Sequence, residues 1–334
     1  MNKKGNRLMK TAIIVFALAI VLMTFNPTFA EAATGDFPQK GKTITIIVPF
    51  APGGTADITA RLIQPVMEKE LGTTVVVVNK PGASSQLGAT EAARSKPDGY
   101  TLMMYVFPGG LTVYMDPERQ AIPQIRELQP LALHNVDSGA VLVNTQSPFT
   151  SLKQLIDAAK EKPGELKACT DGLMGADHME TLYFKNRVGA DFKLVHFDGG
   201  APATTALAGG HVDLRVGKVG SAYAMIKAGK VRAIGVMDKQ RSKFTPDTKT
   251  FEEQGYKDYT WYNATGVAVP KGTPRPIMDV LSNAIKKSIE TEEAKKRLDG
   301  VGLIGRFMGP EEYTAYKNEY EKVIEPLIRE ARKQ

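Results

Sequence analysis

The chain has 334 residues, with 43 Lys and Arg against 36 Asp and Glu for a formal charge of +7, and it is 43% hydrophobic and 24% charged. That length predicts about two domains with cores of their own, and the composition is that of a globular protein, which excludes a disordered or fibrous one. The single cysteine, Cys169, excludes an intramolecular disulfide, a CxxC redox pair and a cysteine zinc cluster.

Lys3, Lys4, Arg7 and Lys10 precede an uncharged apolar run from Ala12 to Met23, which leads into the small-residue stretch Thr28 to Ala33. A membrane span needs about 20 apolar residues, so this pattern predicts a cleaved secretory signal over residues 1–32, with an uncleaved anchor as the alternative. Removal of the signal takes away four bases and one acid and leaves 39 against 35, a net charge of +4. No basic stripe is interleaved with aromatics, so no nucleic-acid partner is expected. Cys169 lies far from the cleavage region, so no lipid anchor is expected either. The periplasm or the outside medium follows, and the classes left are an exported enzyme and an exported binder.

Thr43 to Val48 is a β-branched run ending at Pro49, which predicts a buried strand. The Gly-rich turn Phe50 to Asp57 follows, then helical spacing of Ile58, Leu62, Ile63, Val66 and Met67, then a strand over Val75 to Val78. A second unit runs through the loop Asn79 to Gln86, a helix over Ala89 to Arg94, a strand over Tyr100 to Val106 and the loop from Phe107 to Gly110. Leu131 to Val143 is strand-like, and Ser151 is placed to cap a helix over Leu152 to Lys160. Strands are then expected at Leu166 to Thr170, Lys193 to Phe197, Val212 to Val216, Val231 to Val236 and Thr265 to Val269. Helices alternate with them at His178 to Arg187, Ala203 to Ala208 and Tyr223 to Ala228, and the tail is helical over Pro276 to Glu290 and Pro310 to Ala331.

This alternation predicts an α/β protein with parallel sheets covered on both faces, in two lobes separated near residue 140. Ligands of open α/β sheets sit beyond the carboxyl ends of the strands, here the loops after Val48, Val78, Val106, Thr170, Phe197 and Val216. Gly53 and Gly54 stand directly before a helix. They form either a plain tight turn or a cradle whose backbone N–H groups and helix dipole hold a carboxylate. No nucleophile elbow, P-loop, HExxH or GxGxxG is present. His178-Met179-Glu180 lacks the P-C-x-x-C partner of a zinc deaminase. His134, His178, His196 and His211 share no metal-ligand spacing, and Cys169 reads as a small core residue, so neither metal nor cofactor is expected. Arg215 and Lys218 either bind a second carboxylate of a ligand or are solvated at a strand end. Phe107, Phe197 and Trp261 either wall an aromatic acid or pack in the core.

The turns and caps occur in the order of one family. They are Ile46 to Gly54 with Asp57, Ala60 and Arg61; Asn79-Lys80-Pro81-Gly82-Ala83; Lys96 to Leu102; Gly199 to Ala203 with Gly210 to Asp213; Ile226 to Ala233; and Pro270 to Pro274. On these the mature chain resembles the extracytoplasmic substrate-binding proteins of tripartite tricarboxylate transporters, the Bug receptors. The resemblance implies a two-lobed periplasmic binding protein of the type II fold, each lobe a sheet flanked by helices, with the ligand cleft between residues 33–140 plus 266–334 and residues 141–265. It implies a monomeric, non-catalytic receptor that closes on a small organic acid, a di- or tricarboxylate or an aromatic one, and delivers it to integral-membrane permease subunits. An exported sensor for a membrane kinase and, more remotely, an exported hydrolase are the rivals. The site it implies comprises Phe50, Pro52, Gly53, Gly54, Thr55 and Asp57 of the first loop and Ala83, Ser84, Ser85 and Gln86 beside it. Thr170, Asp171, Gly172, Met174, Gly175 and His178 make the facing loop, and the reading of the residues adds Phe107, Phe197, Arg215 and Lys218, the last two at positions where the chain departs from the family pattern. The chain carries Ser84-Ser85-Gln86 where Gly-Gly-Asn is usual, and Met174-Gly175 where Gly and Ser are usual.

Overall fold

The computed structural model describes residues 37–333, so the leader reading lies outside the described residues. Among the described residues, ten strands and ten α-helices follow one another. Strand β1 (Ile44–Val48), helix α1 (Thr55–Leu71), β2 (Val75–Asn79), α2 (Gln86–Arg94), β3 (Thr101–Phe107) and α3 (Gly109–Met115) come first. The long β4 (Gln129–Asn144) leads to α4 (Leu152–Glu161), β5 (Lys167–Thr170), α5 (Ala176–Val188), β6 (Lys193–His196), α6 (Gly200–Ala208), β7 (Leu214–Lys218), α7 (Val219–Lys227) and β8 (Val231–Met237). The chain ends with β9 (Tyr262–Val269), α8 (Arg275–Glu290), α9 (Glu292–Gly300), β10 (Ile304–Met308) and α10 (Pro310–Ala331).

The expected strands and helices are present with shifted ends, and three elements are additional: α3, α9 and β10. The expectation of parallel sheets is corrected. β1 pairs in parallel with β2 and β3, and β5 with β6 and β7, but β4 and β9 run antiparallel to their neighbours. The strand order is β2-β1-β3-β9-β4-β7-β5-β6, with β8 and β10 also on β4. Continuous apolar runs such as Ile44 to Val48 report burial on both faces, which both pairing directions satisfy here.

Register explains where a cleft must lie. β4 pairs with β9 down to Ser138↔Tyr262, then changes partner and pairs with β7 from Gly139↔Lys218 onward. Phe107 at the end of β3 is level with Ala264, which is level with Val136 of β4. Lys218 at the end of β7 is level with Gly139. The carboxyl ends of the two parallel triplets therefore approach the middle of β4 from opposite sides, and their loops face each other there. Helix α10 packs along β4, α3 and α5. Its Tyr313 donates to the Tyr105 carbonyl at 3.0 Å, and Tyr313, Tyr316 and Tyr320 gather around Phe107 with ring centroids 5.1, 6.4 and 6.2 Å away.

Candidate functional site

The loop between β1 and α1 is held by one carboxylate. Asp57, buried in the first turn of α1, accepts the Gly53 N–H at 3.0 Å, Arg61 Nε at 3.1 Å and Nη2 at 3.0 Å, and Asn79 Nδ2 at 2.9 Å. Burial alone would raise its pKa, but the bonds from Arg61, Gly53 and Asn79 outweigh that and hold the carboxyl below its usual range. Gly53 has φ +87°, a conformation that a side chain disfavours. Gly54, the residue preceding α1, makes no side-chain cap, so the first N–H groups of the helix keep their positive end toward the cleft. A Cβ placed on Gly54 meets nothing within 4 Å. The hydroxyl of Thr55, a residue 6% exposed, has no hydrogen-bond partner among the described residues.

The facing loops are built by a buried polar cluster. Asp177 accepts Arg215 Nε at 2.8 Å and Lys218 Nζ at 2.8 Å, and Lys218 reaches Asp171 at 3.3 Å. Arg215 also donates to Thr204 Oγ1, and both Arg215 and Asp177 have no exposed surface. Burial works to raise the Asp177 carboxyl, but the Arg215 and Lys218 charges prevail and lower it. Burial, with the charge of Asp177 beside it, raises Asp171. Lys218 is raised: burial would lower it, and the two carboxylates outweigh that. Asp171 Oδ1 accepts the Asp177 N–H at 2.9 Å, and a Cβ on Gly175 would lie 2.3 Å from that oxygen, so position 175 has no room for a side chain. Met174, at φ +58°, donates its N–H to His178 Nδ1 at 3.0 Å and accepts Thr112 Oγ1 at 2.7 Å. His178 is pushed down to about 3 by burial, with His196 and Lys185 adding to it, so its imidazole is neutral and acts as the loop's acceptor.

Between these loops lie two adjoining chambers. The first, of about 490 Å³ including its open mouth, is lined by Phe50, Pro52, Gly54 and Thr55 on one side and by Gly199, Gly200, Lys218 and Ser221 on the other. The second, of about 750 Å³, is lined by Pro81 to Ser85 together with Phe197. Phe50, Ala51, Asp171, Asp198 and Gly199 belong to both. Helix α6 starts at Gly200 after Gly199, again without a side-chain cap, so two helix N-termini line the first chamber from opposite sides. A Cβ on Gly53 would stand 4.0 Å from that of Ala201.

The structure thus brings Phe50, Pro52, Gly54, Thr55, Ala83, Ser84, Ser85, Asp171, Phe197 and Lys218 to one cleft. Gly53, Asp57, Gln86, Thr170, Gly172, Met174, Gly175 and His178 stand behind this lining and shape its loops; Gln86 Nε2, for instance, bonds the Arg119 carbonyl at 3.0 Å. Two expectations are corrected. Phe107 is fully buried under α10, because the ring cluster of α10 covers the end of β3, and Arg215 is fully buried against Asp177. Trp261 is likewise core, with Tyr183 and Tyr320 around it. Lining residues absent from the expected set are Pro49, Ala51, Ala56, Pro81, Gly82, Val106, Asp198 to Pro202 and Ser221. The pair Gly199-Gly200 before a helix repeats the signal read at Gly53-Gly54 and was enough to find that turn.

A family model described as tripartite tricarboxylate transporter family receptor matches residues 59–332. Protein BugT of Bordetella pertussis is 30% identical over 265 residues, which cover 79% of this chain and 80% of BugT. MatC of Rhodopseudomonas palustris, solved with bound malate, superposes with a TM-score of 0.79 at 28% identity, over 87% of this chain and 100% of MatC. A periplasmic transporter of known structure gives 0.81 at 31% identity, over 87% of this chain and 97% of its own. Among the described residues no helix is long and apolar enough to cross a membrane.

Proposed function

The chain belongs to the tripartite tricarboxylate transporter receptor family, and from that premise we propose that it captures a small organic carboxylate outside the cytoplasmic membrane and delivers it, without chemistry, to an integral-membrane permease. The observation that carries this reading is the pair of helix N-termini, α1 and α6, lining one chamber from opposite sides. Each offers backbone N–H groups and the positive end of a dipole, and the residues preceding the helices, Gly54 and Gly199, make no side-chain cap, while the Asp57 carboxylate of α1 is bonded to the Gly53 N–H. Thr55 Oγ1 adds a donor, and Lys218, held by Asp171 and Asp177, brings an ammonium into the lining. MatC, a relative with malate bound, supports the ligand class.

In this reading the described residues up to 140, with 266–333, form one lobe and residues 141–265 the other, and the loops meet when the lobes close. A ligand drives closure only through contacts that it makes better in the closed state, and a carboxylate touching both helix starts is such a ligand. The test is a thermal shift of the mature protein against mono-, di- and tricarboxylates. A ligand present at about 100 times its Kd adds roughly 2.7 kcal/mol of stability, which is readily measured. At least one carboxylate is expected to shift the transition; a flat panel on protein shown ligand-free by mass spectrometry contradicts the proposal.

A further inference from the structure

The two chambers differ in charge. The first holds Lys218, whose ammonium is bonded to Asp177 at 2.8 Å and to Asp171 at 3.3 Å. Asp171 and Asp198 line both chambers, but the second has no Lys, Arg or His among its described lining residues, so the difference between them is Lys218. Asp171 is committed to the Asp177 N–H and to Lys218. Asp198 is exposed at the junction of the chambers and has no ion-pair or hydrogen-bond partner among the described residues. The nearby guanidinium of Arg119 is not in the lining: its donors go to the carbonyls of Ala83 and Ser84 and to Thr112 Oγ1.

Ser85 supplies an independent observation. It is 3% exposed, it lies at φ +79° in a run with Ala83 and Ser84, both also at positive φ, and its hydroxyl has no hydrogen-bond partner among the described residues although the residue lines the second chamber. A buried hydroxyl without a partner is a vacant position in a polar site. Its hydroxyl can donate or accept, whereas the Asp198 carboxylate only accepts and carries a charge. A second carboxylate of a ligand placed here would meet like charge with no cation to offset it, whereas an ammonium would meet two acceptors, one of them charged.

Resting on the receptor reading above, we propose that the ligand is a zwitterion: a carboxylate held in the first chamber between the starts of α1 and α6, and an ammonium group held in the second by Asp198 and Ser85. Such a ligand is still a small organic acid, but it carries one carboxylate and one amine in place of the two or three carboxylates expected from the resemblance.

The test uses the full mature chain and two sets of probes matched in length, γ-aminobutyrate, glutarate and butyrate in one and β-alanine, succinate and propionate in the other, measured by titration calorimetry. The amine-bearing member of at least one set is expected to bind about tenfold or more tighter than both its dianionic and its uncharged-ended counterparts. In Asp198→Asn, whose side chain has no partner in the fold, the advantage of the amine over the uncharged end is expected to fall to near one. In Asp198→Lys the order is expected to reverse in favour of the dianion. Tighter binding of the dianion by the wild-type chain, or an amine preference untouched by Asp198→Asn, overturns the inference and leaves the receptor reading standing. Folded protein that binds neither these six probes nor any acid of the carboxylate panel overturns both.

Discussion

A guanidinium with no exposed surface persists only where its charge and its donors are met, and Arg215 is the largest fully buried side chain among the described residues. Its partner Asp177 is shared with Lys218, so removing the guanidinium leaves a buried carboxylate with half its compensation. Arg215→Met is expected to destabilise the protein by about 3–5 kcal/mol, read from urea unfolding, because a broken buried pair leaves an uncompensated charge. A change below about 1 kcal/mol would mean that the cluster is solvated. Gly53 gives a smaller effect of a different kind. At φ +87° the substitution Gly53→Ala is expected to cost about 1–2 kcal/mol, since the left-handed region is disfavoured once a Cβ is present. Asp57 shows what a sequence can hide at this scale. Its spacing from the glycines suggests a ligand contact or a cap, while its four hydrogen bonds, to Gly53, Arg61 through both nitrogens and Asn79, make it the brace of the loop.

At the scale of elements, β4 decides both the architecture and the electrostatics of the middle of the molecule. Its sequence reads as an apolar strand interrupted by His134, Asn135, Asp137 and Ser138, and these are buried where it changes partner from β9 to β7. Asp137 accepts the Gly220 N–H at 3.1 and 2.9 Å, and Glu180 of α5 accepts Asn263 Nδ2 at 2.8 Å while its other oxygen has no hydrogen-bond partner among the described residues. Burial pushes Asp137 up to about 7, against the Gly220 bond, and pushes Glu180 up to about 8, with the charge of Asp177 adding to it. In the unfolded chain both carboxyls lose their protons near pH 4. The folded state therefore holds protons that the unfolded state has lost, and stability falls as pH rises from about 4 through 8. Glu180→Gln is expected to flatten this dependence and to raise the urea midpoint at pH 8 relative to the wild type; parallel pH profiles for the two proteins would contradict the assignment. The βα units and their turns were legible because periodicity and Gly-Gly signals are local. Pairing direction was not, since a run such as Tyr262–Val269 shows burial without showing which way its neighbours point. Helix α3 was missed because Gly109 and Gly110 read as a turn, although they open a buried helix, and a Cβ on Gly109 would lie 3.1 Å from the Ala176 nitrogen. The cluster of Asp171, Asp177, Arg215 and Lys218 joins side chains from three elements, and nothing in their spacing along the chain announces it.

At the scale of the whole molecule, register brings the carboxyl ends of two parallel triplets to the middle of one antiparallel strand, and the site follows from that convergence. The loops of the two sides already touch: Ser84 Oγ donates to the Leu173 carbonyl at 2.9 Å and Thr112 Oγ1 to that of Met174 at 2.7 Å. A receptor that closes on its ligand needs such contacts to be marginal, so that ligand contacts decide the balance. The central claim is that backbone N–H groups at the start of α1 hold the ligand's carboxylate, and it is tested most directly by comparing binding to the wild type and to Gly54→Leu. Gly54 lies at φ −83°, which any residue adopts, and a Cβ there meets open space, so the variant is expected to unfold at the wild-type denaturant concentration. Titration calorimetry with the carboxylate that gives the largest thermal shift is expected to show at least a hundredfold loss of affinity in Gly54→Leu. An unchanged affinity in the folded variant would remove the α1 loop from the site and contradict the account.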